Sequence, residues 1–404
     1  MRLLTEGIDC GAVIETNLSR KLTIDGITQA YPVYKVRLDL LFYNDQNDRI
    51  ATWISKYRSE HGGKSVDFSE SEAYNALIED FVVQSNPDAI KKTQANIELV
   101  DQREPGVVLA DGRVIDGNRR FACLRRLSKK NDRFKHFETV ILDKNIENNA
   151  KQIKMLELSI QHGEESKVDY NPIDRLVGIY NDLIATQLLS VEEYARSADE
   201  SLLEVKQRVE IAKLMVEFLE FINAPLQFHV ARDMQVYDAI RELLTLLKKC
   251  RTMDEAEDLK LSVFTNLLMR TEGEMRQFVR SLKSVVGSDY QESFIEEQKE
   301  IAAKVIEALP PVGQVTDRTI RDSIRTNEEV VQELGNSLDK ALTKVRKTET
   351  RNRPVQLIEK ATVFLEDIDL NILRKLGDSE IQRVERQLDK LARAAEDIRS
   401  SLYE

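Results

Sequence analysis

The chain has 404 residues, 42% hydrophobic and 32% charged, with a formal charge of −11, a composition that describes a soluble, helix-rich protein of two or three domains. The negative total excludes a surface that attracts nucleic acid everywhere. No apolar run is long enough to cross a bilayer, so no membrane partner is expected and a cytoplasmic location is. The cysteines Cys10, Cys123 and Cys250 and the histidines His61, His136, His162 and His229 lack metal-ligand spacing, which argues against structural zinc and a disulfide scaffold.

In chain order, residues 1–30 are mixed and read as an N-terminal extension. Alternation from Tyr31 to Tyr43 predicts a strand, then a polar loop from Asn44 to Arg49 and a helix around Ile50 to Tyr57, with Trp53 as core packing. Ser69 with Glu72 three residues later forms a capping box for a helix through Phe81. Asn86-Pro87-Asp88 opens another helix toward Ala95, and Ile97–Val100 reads as a short strand.

The segment Pro105 to Leu127 carries the strongest signal. Val107 to Leu109 and Val114 to Ile115, separated by Asp111-Gly112, predict a tight hairpin. After Asp116-Gly117-Asn118, Phe121, Ala122, Leu124 and Leu127 recur at helical spacing, so strand turns abruptly into helix. Gly117 lets the backbone bend or approach a ligand. Arg119 and Arg120 fall in the first helical turn, where they oppose the helix dipole unless an anion is bound. Two arginines after a turn are also ordinary surface charge. What singles this segment out is Arg113, Arg119, Arg120, Arg125, Arg126, Lys129, Lys130, Arg133 and Lys135 against Asp116 and Asp132 in an acidic chain. Cys123 on the same helix reads as buried packing. Phe137 to Leu142 adds a strand and closes a domain over 31–148.

From Ala150 to Leu402 the periodicity is helical throughout. Asn171-Pro172-Ile173-Asp174 opens a helix through Leu183, Ser190 caps a short helix ending near Arg196, and after a break at Asp199 to Ser201 a third runs from about Leu203 to Phe221. Over 149–224 this is either a helix-turn-helix, with Ser201, Lys206, Gln207 and Arg208 toward DNA, or a helical hairpin with a charged solvent face. Further helices fill 225–309. Pro310-Pro311 begins a linker, and 310–404 ends in helices where Ile381, Val384, Leu388 and Leu391 approach heptad spacing, a self-association signal.

Three of these segments, in order, resemble the ParB family of chromosome and plasmid partition proteins, whose N-terminal domain shares a fold with sulfiredoxin. They are Val36 to Arg49; Val114 to Ala122, similar to the family's Gly-Glu-Arg-Arg box; and Leu158 to His162, continuing through Asn171 to Val209. The resemblance implies an α+β ParB/sulfiredoxin-like domain, an all-α helix-turn-helix and a helical C-terminal region. It implies a nucleoside triphosphate, CTP or ATP, with Mg2+, held by Gly117, Asn118, Arg119 and Arg120 together with Asn44, Gln46 and Arg49. Asn118 stands where the family has glutamate, and Leu158 and His162 stand where its third box has glutamate and arginine. The carboxylates left for a catalytic or metal-linked role are Asp116, Glu157 and Glu164, with Glu165 beside the last. The implied function is a nucleotide-gated, homodimeric DNA-binding protein of partition or regulation. The alternatives are a nucleotide-dependent enzyme of the same fold (NTPase, phosphotransferase or nuclease), or an adaptor in a DNA-modification or defence system that binds a protein partner through its C-terminal helices.

Overall fold

The computed structural model describes Leu4 and residues 11–24, 26–68, 71–144, 146–163, 171–270 and 272–402. It divides into two compact units, Met1–Ala341 and Leu342–Glu404. The expected capping residue Ser69 and the carboxylates of Glu164 and Glu165 lie outside the described residues, as does Cys10.

Among the described residues of the first unit, six strands form one mixed sheet in the order β1-β2-β6-β4-β5-β3. They are β1 (Val13–Ile24), β2 (Ile27–Arg37), β3 (Phe42–Tyr43), β4 (Gly106–Leu109), β5 (Arg113–Asp116) and β6 (His136–Leu142). The side-chain period of two splits the strands' apolar residues between two cores. Val36, Val108, Val114 and Phe137 face one core, with Ile54, Ile78, Ile90 and Phe121 from α1 (Ala51–Glu60), α2 (Ser71–Ser85), α3 (Pro87–Val100) and α4 (Asn118–Ser128). Val33, Val107, Leu109, Ile115 and Val140 face the other, with Ile153, Leu156 and Ile160 of α5 (Ile146–Gly163). An α+β domain is thus followed by an all-α region.

Three expectations are corrected. The segment 1–30 is not featureless: Val13–Ile24 forms β1, which pairs antiparallel with β2 through Ile24↔Ile27. The strand expected from Tyr31 to Tyr43 breaks at a 3-10 turn, Leu38–Leu40, before β3. Ile97–Val100 is the last turn of α3 rather than a strand, because Ile97 lies two turns from Ile90 on the buried face while Leu99 is 81% exposed.

Helices follow: α6 (Pro172–Ile179) with a π turn (Tyr180–Ala185), α7 (Val191–Ser197), α8 (Leu202–Phe221), α9 (Phe228–Asp233), α10 (Tyr237–Leu247), α11 (Met253–Met269), α12 (Glu272–Val285), α13 (Gln291–Glu307) and α14 (Asp317–Thr319). Their starts follow the caps in the sequence. Asn171 accepts from Ile173 N, and Ser190 with Glu193 and Ser201 with Glu204 form capping boxes. Helix α15 (Glu328–Glu366) contains the unit boundary. The second unit continues through α16 (Leu370–Leu373) and α17 (Asp378–Ser400) and leaves Leu357, Phe364, Leu370, Leu388 and Leu391 exposed.

Candidate functional site

The β4–β5 hairpin delivers the chain to Gly117, which takes φ 92° and ψ 19° and opens α4. That left-handed conformation favours glycine, and a Cβ there would stand 2.9 Å from Phe137 Cζ and 3.3 Å from Arg120 Nε. The turn places Asn118, Arg119 and Arg120 along a cleft of about 260 Å³. Arg49, from the turn before α1, and Arg103, from the loop after α3, line the same cleft. Four arginines from three separate segments therefore line the cleft beside the N-terminus of α4, where unpaired backbone N–H groups and the helix dipole add to the positive potential. The arrangement suits a polyanion.

Arg120 is held in place. Its Nη1 donates to Glu104 O at 2.8 Å and its Nη2 to Asp116 Oδ2 at 3.1 Å. Arg20 on β1 donates to the same Asp116 oxygen at 2.8 Å and to Pro105 O at 2.6 Å. Asp116, expected as a catalytic or metal-linked carboxylate, is only 8% exposed at its side chain and serves to orient two arginines. Arg20 was not foreseen, since a residue in an unread strand carries no local mark of a partner 96 positions away.

Of the other expected nucleotide contacts, Asn44 and Gln46 stand apart from the residues lining the cleft. Asn44 is buried and its Oδ1 accepts from Gln46 N at 3.2 Å, which stabilises the loop. Asn47 lines the cleft instead, and its Oδ1 accepts from Arg49 N at 2.9 Å.

Between Asn47 and Arg49, Asp48 turns the other way, into a buried charge cluster. Lys154 Nζ on α5 lies 2.7 Å from Asp48 Oδ1, 3.4 Å from Asp182 Oδ2 and 4.0 Å from Glu157 Oε2. Gly178 on α6 makes room for Asp48, whose Cγ would be 2.5 Å from a Cβ there. One lysine cannot neutralise three carboxylates. Burial pushes Glu157 up to about 8 and Asp182 to about 7, against the pull of Lys154. Burial alone would lower Lys154, but Asp48, Glu157 and Asp182 outweigh it and hold the ammonium well above its ordinary value. Alongside, Asp174 Oδ1 accepts from Thr52 Oγ1 at 2.6 Å, Arg232 donates to that hydroxyl at 2.8 Å, and burial raises Asp174 to about 6. Glu157 is thus part of the junction between sheet and helices, 3% exposed, and its Oε1 accepts from Gln161 Nε2 at 3.1 Å.

Among the described residues no group of three His, Cys, Asp or Glu is placed to hold a metal. Of the carboxylates expected in a metal-linked role, Asp116 pairs with Arg20 and Arg120 and Glu157 lies beside Lys154. Cys123 is fully buried, its Sγ 3.6 Å from Ile90 O, and burial pushes its thiol up to about 12. It packs the core.

The expected DNA contacts separate into two pairs. Ser201 caps α8, accepting from Glu204 N at 3.2 Å, and Arg208 pairs with Glu200, which also holds Arg175 of α6. Lys206 and Gln207 are exposed one turn into α8, beside Leu203 at 78% exposure.

No family model and no curated protein matches the chain. Among solved structures it is similar to a Pnob8-like ParB-N domain, at 15% identity over 66% of this chain and 97% of that one, with a TM-score of 0.37. It is also similar to C-terminally truncated chromosome-partitioning protein ParB from Caulobacter crescentus complexed with CTP-gamma-S, at 11% identity over 56% and 97%, with a TM-score of 0.20. The likeness is to ParB. At these identities and TM-scores the chemistry of the cleft stands on this chain's own side chains, whatever the ParB likeness suggests.

Proposed function

We propose that the chain is a ParB-like, nucleotide-binding protein that associates with DNA. In this reading the cleft binds a nucleoside triphosphate, and occupancy governs how the helical region meets DNA. The observation that carries it is the convergence of Arg49, Arg103, Arg119 and Arg120 on the α4 N-terminus, where Gly117 lets a ligand approach the backbone. The turn Asn47 to Arg49 supplies a route outward, because it touches the cleft with two residues and the α5 cluster with the third. The DNA contact falls to the exposed start of α8, at Lys206 and Gln207. The exposed apolar side chains of the second unit, with Ile381, Val384, Leu388 and Leu391 at heptad spacing, support self-association into a homodimer. Binding is favoured over turnover because Asp116, on the cleft wall, is paired with Arg20 and Arg120, and Glu157 is buried beside Lys154.

The test is binding of CTP, ATP and GTP, with and without magnesium, to the native chain and to Arg119→Ala/Arg120→Ala. Charge-assisted hydrogen bonds contribute about 1.5–3 kcal/mol each, so the double variant should bind roughly 10²–10⁴-fold more weakly. Equal affinity in the two proteins would refute the site.

A further inference from the structure

Arg20 does not line the cleft, yet it is tied to the cleft wall. It lies on β1, ahead of the stretch from Val36 that resembles ParB, at the edge of the sheet with β2 and β6 between β1 and β4. The register of β1 shifts between Glu15 and Ser19, an irregularity of the kind that bends an edge strand. Just beyond it, Arg20 Nη1 donates to Pro105 O at 2.6 Å and to Asp116 Oδ2 at 2.8 Å. Arg120 donates to the same carboxylate oxygen at 3.1 Å and to Glu104 O at 2.8 Å. The two arginines thus grip consecutive carbonyls next to Arg103, and one carboxylate lies between them. Where that segment enters β4 there is no slack, since a Cβ on Gly106 would stand 2.8 Å from Asp116 O.

Charge gives this knot its consequence. Asp116 is on the cleft wall, where a carboxylate repels the phosphates that the arginines attract. With Arg120 as its one partner, the two charges would cancel and the guanidinium would be drawn onto the carboxylate, away from a ligand. With Arg20 as a second partner, two cations share one anion and a positive charge is left over. Side-chain exposures of 11% for Arg20, 8% for Asp116 and 15% for Arg120 leave little solvent to screen these charges.

We propose that Arg20 is a positioning residue of the polyanion site: by sharing Asp116 with Arg120 it keeps one positive charge uncancelled at the cleft and holds Arg120 beside the start of α4. This deepens the reading of the cleft as a polyphosphate site and rests on it. It makes the β1–β2 hairpin part of the site, although β1 supplies no residue to the cleft lining among those described.

The experiment is calorimetric titration of the full chain with tripolyphosphate, in the wild type, in Arg20→Gln and in the double variant Arg20→Gln/Asp116→Asn, each checked for its unfolding temperature. Arg20→Gln should bind roughly ten-fold more weakly or worse, about the worth of one charge-assisted hydrogen bond. The double variant lacks the carboxylate that Arg20 offsets, so Arg120 is again uncancelled and affinity should return to within about three-fold of the wild type. A residue that only braced the fold would not be rescued in this way, because losing both partners of the contact would weaken binding further. A double variant no tighter than Arg20→Gln overturns the proposal. Arg20→Gln binding as tightly as the wild type also overturns it and leaves the polyphosphate site standing. Should Arg20→Gln be unfolded at the temperature of titration, the double variant decides alone: affinity within about three-fold of the wild type supports the proposal and weaker binding overturns it. A wild-type chain that does not bind tripolyphosphate overturns both readings.

Discussion

Replacing Lys154 with methionine keeps the length of the side chain and removes the one cation among Asp48, Glu157 and Asp182. At 2.7, 3.4 and 4.0 Å and an effective dielectric near 20, each attraction is about 4–6 kcal/mol before desolvation and carboxylate repulsion are subtracted. Removing one partner of a buried pair leaves a net loss of about 3–5 kcal/mol, a large part of the roughly 5–15 kcal/mol that holds a domain folded. The loss should depend on pH. Glu157 and Asp182 have folded values raised to about 8 and about 7 from ordinary values of 4.5 and 3.8. The folded state therefore holds their protons more tightly than the unfolded state does. Their contribution is most favourable below the unfolded values and is lost as pH rises through the folded ones. Without Lys154 the folded values rise further, so the deficit should keep a pH-independent part from the lost contact with Asp48 and should grow as pH rises through about 7 and 8, where the native carboxylates ionise. Urea unfolding of both proteins at pH 5, 6.5 and 8 measures it. A loss below about 1 kcal/mol, or one equal at all three pH values, would refute this account of the cluster.

Gly178→Ala should destabilise the first unit by about 1–3 kcal/mol, because its Cβ would meet Asp48 Cγ at 2.5 Å; an unfolding temperature unchanged within a degree or so would contradict it. Lys206→Ala/Gln207→Ala should weaken DNA binding and reduce the slope of log affinity against log salt by about 0.9 for the lost lysine. An unaltered slope by fluorescence anisotropy would remove α8 from the DNA contact. Cys123, buried with its thiol raised to about 12, should resist iodoacetamide at pH 8 until urea unfolds the chain, while the partly exposed Cys250 reacts first. Modification of Cys123 in the native protein, seen by mass spectrometry, would show that the α4 core opens.

Local chemistry made much of the fold legible. The hairpin at Asp111-Gly112, the bend at Gly117, the caps at Asn86, Asn171, Ser190 and Ser201 and the proline starts of α3 and α6 are all written within a few residues of where they act. The two arginines after Gly117 were readable for the same reason. What escaped depends on residues far apart in sequence. Lys154 meets Asp48 across 106 positions and Asp174 meets Thr52 across 122, and nothing beside either residue announces the other. The pairing of Arg208 with Glu200 was likewise not readable, since neither residue's neighbours in sequence announce it.

The alternation within Asn47, Asp48 and Arg49 also bears on how such a protein can be inherited. Positions 47 and 49 belong to the cleft and position 48 to the helices, yet the three are joined by consecutive peptide bonds. A chimera grafting the helices of one relative onto the sheet of another would need a breakpoint on each side of a single residue. Exchange between such chains should therefore carry sheet, turn and helices as one block, and drift at any of the three positions should be answered in both halves.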